Sequence, residues 1–151
     1  MYLYRRVSLV RTYHLGIYSR DCLILLNMTL ESQVVSLPLA KRLKELGVKQ
    51  ESVFGWLLYN SGESEIVHFY DGVIIPPTNF AAFTVAELGE ILSDGMVGSR
   101  KTGYGDWACV YVPCTGDGTD VEHEVKGMTE ADARAQMLSY LLQNKLLATN
   151  P

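Results

Sequence analysis

The chain has 151 residues, of which 48% are apolar and 20% are charged. This length suffices for one hydrophobic core and is short for two domains, and the composition is that of an ordinary globular protein without a low-complexity tract. The net charge is −4, and residues 28–151 carry nine basic against sixteen acidic side chains. We therefore expect this acidic body to bind nucleic-acid backbones poorly.

The chain contains three cysteines, Cys22, Cys109 and Cys114, without a Cys-x-x-Cys pair or a histidine at zinc-ligand spacing. Such a sparse, odd set is typical of reduced thiols, and the sequence predicts neither a metal site nor a cofactor. No apolar run approaches the roughly 18 residues that span a bilayer. The run from Cys22 to Leu26 is too short and too late for a signal peptide, so we predict a cytoplasmic protein.

The first 27 residues differ from the rest of the chain. They hold four arginines and one aspartate, a net charge of +3, and show neither a helical stripe nor sustained alternation. Two interpretations remain open. In the first, Met28 is the natural start and the preceding residues come from an upstream start assignment. In the second, these residues form an arm that packs on the body through Tyr13, Leu15 and Ile17. We predict an N-terminal extension, residues 1–27, and one domain, residues 28–151.

The first helix is predicted over residues 37–46. Ser36 can cap its first turn, where Pro38 is tolerated because its missing N–H would have no partner there. Gly47 supplies the left-handed residue that ends the helix. A hairpin should follow, because two apolar and aromatic segments, 54–59 and 66–70, flank turn-forming residues.

The sequence Thr84-Val85-Ala86-Glu87 is a full capping box and predicts the start of a second helix. Glycines at positions 95, 98, 103 and 105 then predict a mobile loop. A second hairpin is predicted from residues 107–112 and 121–126. The latter segment alternates between apolar and charged residues, which indicates a sheet with one face in solvent.

The segment from Thr129 to Leu147 predicts the longest helix. Thr129 can cap it, and one apolar stripe runs along it through Ala131, Ala135, Leu138 and Leu142. Polar residues repeat on the opposite side at Asp132, Gln136, Ser139 and Gln143. The predicted order is thus helix–hairpin–helix–hairpin–helix. It corresponds to a small single α+β domain with a mostly antiparallel sheet of about four strands and helices on one face.

Short motifs that suggest chemistry have simpler explanations. The segment GMVGSRKT, residues 95–102, departs from a phosphate-binding loop because Arg100 replaces the second glycine and a strand follows it. The acidic residues of the second hairpin lack calcium-loop spacing. Cys109 and His123 can meet across that hairpin, but no third orienting group accompanies them. We predict no catalytic residues.

The segment LAKRLKELGVKQESVFGW, residues 39–56, resembles the helix-turn-helix of small repressors. Gly47 follows Ala40 by seven residues, whereas the turn of that motif normally comes about four residues after the alanine. The second half of the segment consists of bulky apolar residues, unlike a helix that reads bases. The alternative prediction is a DNA-binding regulator that uses residues 37–58. Its nucleic-acid contacts would be Lys41, Arg42, Lys44 and Lys49.

Tyrosine and tryptophan side chains on an open sheet face are typical of protein-binding surfaces. The chain has several of them in predicted strands and turns, and most should lie in the core. Five are predicted to bind a partner: Tyr59, Tyr70, Tyr104, Trp107 and Tyr111.

Four pieces of the chain together resemble a group of small proteins encoded in bacterial prophages and mobile elements. They are the segment at 39–56, the Pro76-Pro77 stretch, TVAELGEIL, and TEADARAQMLSYLLQNKLL. The resemblance covers about residues 29–147 and implies a phage-associated origin, but no activity and no catalytic residue. We therefore predict a non-enzymatic accessory protein that binds another protein or itself.

Overall fold

A computed structural model describes residues 29–69, 78–93, 97–112 and 122–147. The predicted N-terminal extension, Met28 and Tyr70 lie outside these ranges. Within them the chain forms three α-helices and two three-stranded antiparallel sheets, preceded by a short 3-10 helix, Leu30–Ser32. None of the helices in the described ranges has the length and apolar character to cross a membrane.

In each of the two sheets, the central strand is also one strand of a hairpin. Sheet 1 has the strand order β2-β1-β3, with β1 at Phe54–Leu58, β2 at Ser64–His68 and β3 at Phe80–Ala81. Sheet 2 has the order β4-β5-β6, with β4 at Val97–Lys101, β5 at Trp107–Tyr111 and β6 at His123–Gly127. The helices are α1, Leu37–Glu45, α2, Val85–Ile91, and α3, Glu130–Gln143.

The class α+β agrees with the sequence analysis, but the predicted architecture is wrong. Both predicted hairpins form, and each pairs with a third strand: β3 follows its hairpin, whereas β4 precedes its own. The halves are therefore not repeats, and two sheets replace the single four-stranded one. Strand β3 has two residues, and β4 reads VGSRK, so neither shows the apolar alternation that marks a strand. The glycine-rich loop predicted at 95–105 is thus wrong over 97–101.

The helices connect the two sheets instead of covering one face. Helix α3 contacts all three strands of sheet 2 and also contacts α1 and α2. Helix α1 in turn contacts β3 of sheet 1. Nearby, the indole N–H of Trp56 donates to the carbonyl of Val35 at 2.8 Å, which holds β1 against the chain entering α1.

The ends of α1 show one expected cap and one unexpected cap. Gly47 has φ +81°, and the amides of Gly47 and Val48 donate back to carbonyls of the last turn, each at 3.0 Å. This is the Schellman arrangement that a C-terminal glycine favours. At the other end the Ser36 side chain does not cap. The Ser36 amide donates instead to Oδ1 of Asp132 in α3 at 2.8 Å, so a distant helix fixes where α1 begins.

The predicted capping box of α2 is confirmed. The Glu87 amide donates to Thr84 Oγ1 at 3.2 Å, and the Thr84 amide donates to the Glu87 carboxylate at 2.7 Å. The same carboxylate also accepts the Ser52 hydroxyl and the Val53 amide, both at 3.0 Å. One acidic side chain therefore starts α2 and holds the residues that enter β1.

Helix α3 is covered on more sides than one stripe would require. Seven of its 14 residues are buried, and the prediction of a polar side at Ser139 is wrong: Ser139 is 7% exposed and donates to the carbonyl of Ala135 at 2.9 Å. The alanines of α3 let strand β6 approach the helix closely. A Cβ placed on Gly127 would lie 2.5 Å from the backbone nitrogen of Ala133.

Replacing Gly127 with alanine should therefore lower the free energy of unfolding by about 1–3 kcal/mol, because a backbone atom cannot yield as a side chain can. The matched control is Gly103→Ala, since an added Cβ there meets nothing within 4 Å. Urea unfolding of both variants measures the difference. Equal stability of the two variants would contradict the close approach of α3 to β6.

Candidate interaction surface

Sheet 2 turns one face to α3 and the other to solvent. Ser99, Cys109 and Val125 share a register row on the inner face, and Cys109 there is fully buried. Because side chains alternate along a strand, the intervening positions point outward. These positions, together with Val112 and Glu122 just beyond the strand ends, define the outer face of sheet 2: Gly98, Arg100, Ala108, Val110, Val112, Glu122, Glu124 and Lys126.

The outer face of sheet 2 has an apolar strip along its central strand and charged residues at its edges. The strip consists of Val110 and Val112, which are both half-buried, whereas Ala108 on the same strand is fully buried. The Arg100 guanidinium reaches from β4 to Glu124 on β6 at 2.8 Å, and so spans the strip. A solvent-facing pair of this kind adds little to stability, but it fixes where Arg100 lies.

The charges at the edges influence one another. The hydrogen bond from Arg100 lowers the pKa of Glu124, and Glu124 in turn raises the pKa of Arg100. The Lys126 ammonium lies 3.8 Å from the same carboxylate, and Glu122 adds a weaker attraction for Arg100. Arg100 and Glu124 therefore remain charged at neutral pH.

An open depression lies in the outer face of sheet 2. It has a volume of about 350 Å³ and is lined by Gly98, Ser99, Arg100, Val110, Val112 and Glu122. Gly98 carries no side chain beside Val110, and this leaves the hollow. Sites for small molecules are concave and enclose most of their ligand, whereas this depression is broad and open. Its shape therefore suits contact with another chain.

A polar cluster behind the sheet holds its edge strand. The Arg134 side chain of α3 donates to Oε1 of Glu130 at 2.9 and 3.2 Å and to the Ser99 hydroxyl of β4 at 2.9 Å. Ser99 donates to the same carboxylate oxygen. The sequence analysis missed this cluster because Ser99 fell in a predicted loop. The available signal was the four-residue spacing of Glu130 and Arg134 on one helix.

The inner face shows no activated thiol. Burial raises the pKa of Cys109 to about 11, so the thiol is protonated at neutral pH and is a poor nucleophile. His123 lies opposite Tyr111 in the strand register, and its ring stacks on Tyr140 with 3.5 Å between ring centroids. His123 therefore packs against aromatic neighbours, and Val125 takes the place opposite Cys109.

The aromatic residues predicted to bind a partner lie on different surfaces. Trp107 and Tyr111 are on the inner face of sheet 2 and pack against the core. Tyr104 is 96% exposed in the turn between β4 and β5. Tyr59 follows β1 in sheet 1, is 44% exposed, and donates its hydroxyl to Glu65 at 2.8 Å. Tyr70 lies outside the described residues.

The helix-turn-helix predicted for residues 37–58 is wrong, because 54–58 form β1. The ammonium groups of Lys41 and Lys44 lie 5.6 and 4.7 Å from the ring centroid of Phe80, and Lys44 also donates to a backbone carbonyl. Arg42 and Lys49 lie 3.6 and 3.1 Å from acidic neighbours. The four predicted nucleic-acid contacts are therefore engaged within the chain.

Comparison with known proteins gives no relative: no family model matches the chain, and neither does any curated protein or solved structure. Among the described residues, no group of three or more metal-ligating side chains comes together. We therefore infer function from the geometry of the chain itself.

Replacing Arg134 with methionine should lower the free energy of unfolding by about 1–3 kcal/mol, because it leaves Glu130 partly buried without its ion pair. Both side chains are 23% exposed. The matched control is Arg42→Met, which removes an exposed helical pair and should cost about 0.5 kcal/mol or less. Urea unfolding distinguishes the two variants, and equal losses would contradict the role of the cluster.

Proposed function

We propose that this chain is a non-enzymatic protein-interaction module, and that it binds another protein chain through the outer face of sheet 2. The observation that supports this most is the apolar strip of Val110 and Val112 between charged edges. Apart from the Arg100 side chain, which crosses the strip to reach Glu124, no described element covers it. An apolar centre with a polar rim is the usual anatomy of a protein interface.

The support behind the face favours the same proposal. Helix α3 contacts every strand of sheet 2, and the Ser99–Glu130–Arg134 cluster ties edge strand β4 to that helix. A surface that is held in place before binding loses less conformational entropy when a partner docks. Sheet 2 is therefore suited to rigid docking.

The proposed biological setting comes from the sequence resemblance. It is an accessory role in a bacterial prophage or mobile element, with the partner encoded there or in the host. The acidic body of the chain, net −7 over residues 28–151, favours a protein partner over nucleic acid in that setting.

A photo-crosslinking amino acid at Val110, introduced in cells of the native source, should give one discrete crosslinked product. The same group at Leu146 is the matched control, because Leu146 is 49% exposed and follows α3, away from the outer face. Products that are the same from both positions, or none from Val110, would contradict the proposal.

Once the crosslinked protein is identified, Val110→Lys should weaken its binding at least about tenfold, or 1.4 kcal/mol, because an ammonium would be buried in the apolar strip. Leu146→Lys should leave binding unchanged. Titration calorimetry with the purified chains measures both. Equal affinities of the two variants would place the interface elsewhere.

A further inference from the structure

We infer that the protein bound by the outer face of sheet 2 also covers one end of that sheet, where Tyr104 and Met128 anchor it, and that its covering surface is apolar with carboxylates around it. The anchor end of sheet 2 is defined by the turn 102–106, Met128 and the two register rows next to them. This inference rests on the proposed function, since it concerns the same partner, and it adds the anchoring residues and the partner's chemistry.

The two most exposed large apolar side chains of the described residues lie at the same end of sheet 2. Tyr104 is 96% exposed and Met128 is 79% exposed, whereas every other exposed side chain of this kind is less than half exposed. In the last register row Lys101 lies opposite Trp107, and Trp107 lies opposite Gly127. The turn that joins the first two carries Tyr104, and Met128 directly follows Gly127. The strand pairing therefore brings both side chains to one end.

The turn that carries Tyr104 is fixed by its backbone and does not use the tyrosine ring. The Gly105 amide donates to the Thr102 carbonyl at 3.2 Å, the Thr102 amide donates to the Asp106 carbonyl at 2.7 Å, and Gly105 has φ +93°. This is the three-residue hairpin loop in which a left-handed glycine follows a tight turn. The Tyr104 hydroxyl has no hydrogen-bond partner among the described residues. The fold therefore holds this ring in solvent without using it.

Met128 occupies a position where an apolar side chain usually packs on the helix that follows. It precedes Thr129, the N-cap of α3, and a residue there commonly contacts the fourth helical residue, here Ala133. Ala133 is fully buried, and its backbone lies against Gly127. Because Met128 stays 79% exposed, it contributes little to the start of α3. Tyrosine and methionine are both enriched at protein interfaces.

The anchor end is basic, although the body of the chain is acidic. Its two register rows and its turn carry Arg100, Lys101 and Lys126 against Asp106, three basic side chains against one acidic, a net charge of +2. Including Glu124, which binds Arg100 and lies 3.8 Å from Lys126, the net charge is +1. Lys101 is exposed and has no acidic partner among the described residues. A partner with carboxylates beside an apolar surface is complementary to this end.

The carboxylates at the start of α3 do not repel such a partner strongly, because both are engaged within the chain. Glu130 is 23% exposed and accepts the Arg134 guanidinium at 2.9 Å. Asp132 is half-buried and accepts the Ser36 amide at 2.8 Å. Lys101 is therefore the charge at the anchor end that is left for a partner.

Covering the anchor end enlarges a contact that the outer face alone would leave small. Three strands of about five residues present roughly 240 Å², whereas standard complexes bury about 800 Å² per partner. One covered aromatic side chain buries about 150–250 Å², and a few large side chains carry most of the binding energy of an interface. Tyr104 and Met128 are therefore the expected anchors.

An anionic membrane is the other surface that an apolar end with basic neighbours can bind. Only two apolar side chains would enter it, and residues 28–151 have a net charge of −7. Such a body is repelled by a broad anionic surface at distances up to the Debye length, about 8 Å. A protein surface can contact the anchor end without facing the whole acidic body, so the charges favour a protein.

The test measures binding of the full chain to the protein captured by crosslinking at Val110, once that protein is purified. Tyr104→Ser should weaken binding at least about tenfold and Met128→Ser about fivefold, because each removes a side chain that the partner covers. Lys101→Glu should also weaken binding, and its effect should shrink as salt is added because salt screens exposed charges. Titration calorimetry at low and high salt measures all three.

The matched controls are Leu146→Ser and Lys145→Glu, because both positions are exposed and lie beyond the far end of α3. Both should bind like the wild type. Thermal unfolding should give the same midpoint for Tyr104→Ser and Met128→Ser as for the wild type, since neither side chain is packed in the fold.

The inference alone is overturned when a protein is captured at Val110 but Tyr104→Ser and Met128→Ser bind it like the wild type. An acidic partner surface is excluded when Lys101→Glu leaves binding unchanged or strengthens it. Sedimentation of the full chain with vesicles of equal parts phosphatidylcholine and phosphatidylserine, lost in Tyr104→Ser, would overturn the choice of a protein. Capture of no protein at Val110 would overturn the proposed function and this inference with it.

Discussion

The close approach of α3 to sheet 2 determines where most other elements lie. The small side chains of three alanines, at 131, 133 and 135, allow close approach to the backbone of α3, and Gly127 lets β6 reach that backbone. The first turns of α3 then hold other elements: Asp132 caps α1, and Arg134 binds β4. Because α3 covers one face of sheet 2 and also meets α1 and α2, the opposite face of that sheet is the one left to solvent.

This arrangement separates stabilising contacts from the proposed interaction surface. The Ser99–Glu130–Arg134 cluster, the stacked His123 and Tyr140 rings, and the buried Cys109 all belong to the inner face. The outer face keeps the apolar strip of β5 between charged edges. A substitution on the outer face should therefore change association with little effect on folding, whereas one on the inner face should act mainly through stability.

Local signals predicted the elements that depend on local contacts. The capping box of Thr84 and the left-handed Gly47 each need only neighbouring residues. Strand β3, with two residues, and β4, with the polar sequence VGSRK, exist because β1 and β5 offer them hydrogen bonds, which no local pattern reveals. The sequence could not assign faces to the predicted partner-binding residues for a similar reason: Trp107 and Tyr111 share the inward alternation of Cys109, but only the position of α3 decides which side of β5 is inward. The alternation of residues 121–126 indicated the charged edge on β6, whereas Arg100 and Val110 gave no distinct sequence signal.

Native-state hydrogen exchange tests most directly whether α3 organises the structure. If it does, the amides of its central turns, residues 135–141, should exchange only through global unfolding. They should show the same free energy and the same denaturant dependence as the amides of β5. Exchange of these α3 amides through a local opening, at a lower free energy than those of β5, would show that sheet 2 is stable without the helix. That result would contradict an organising role for α3.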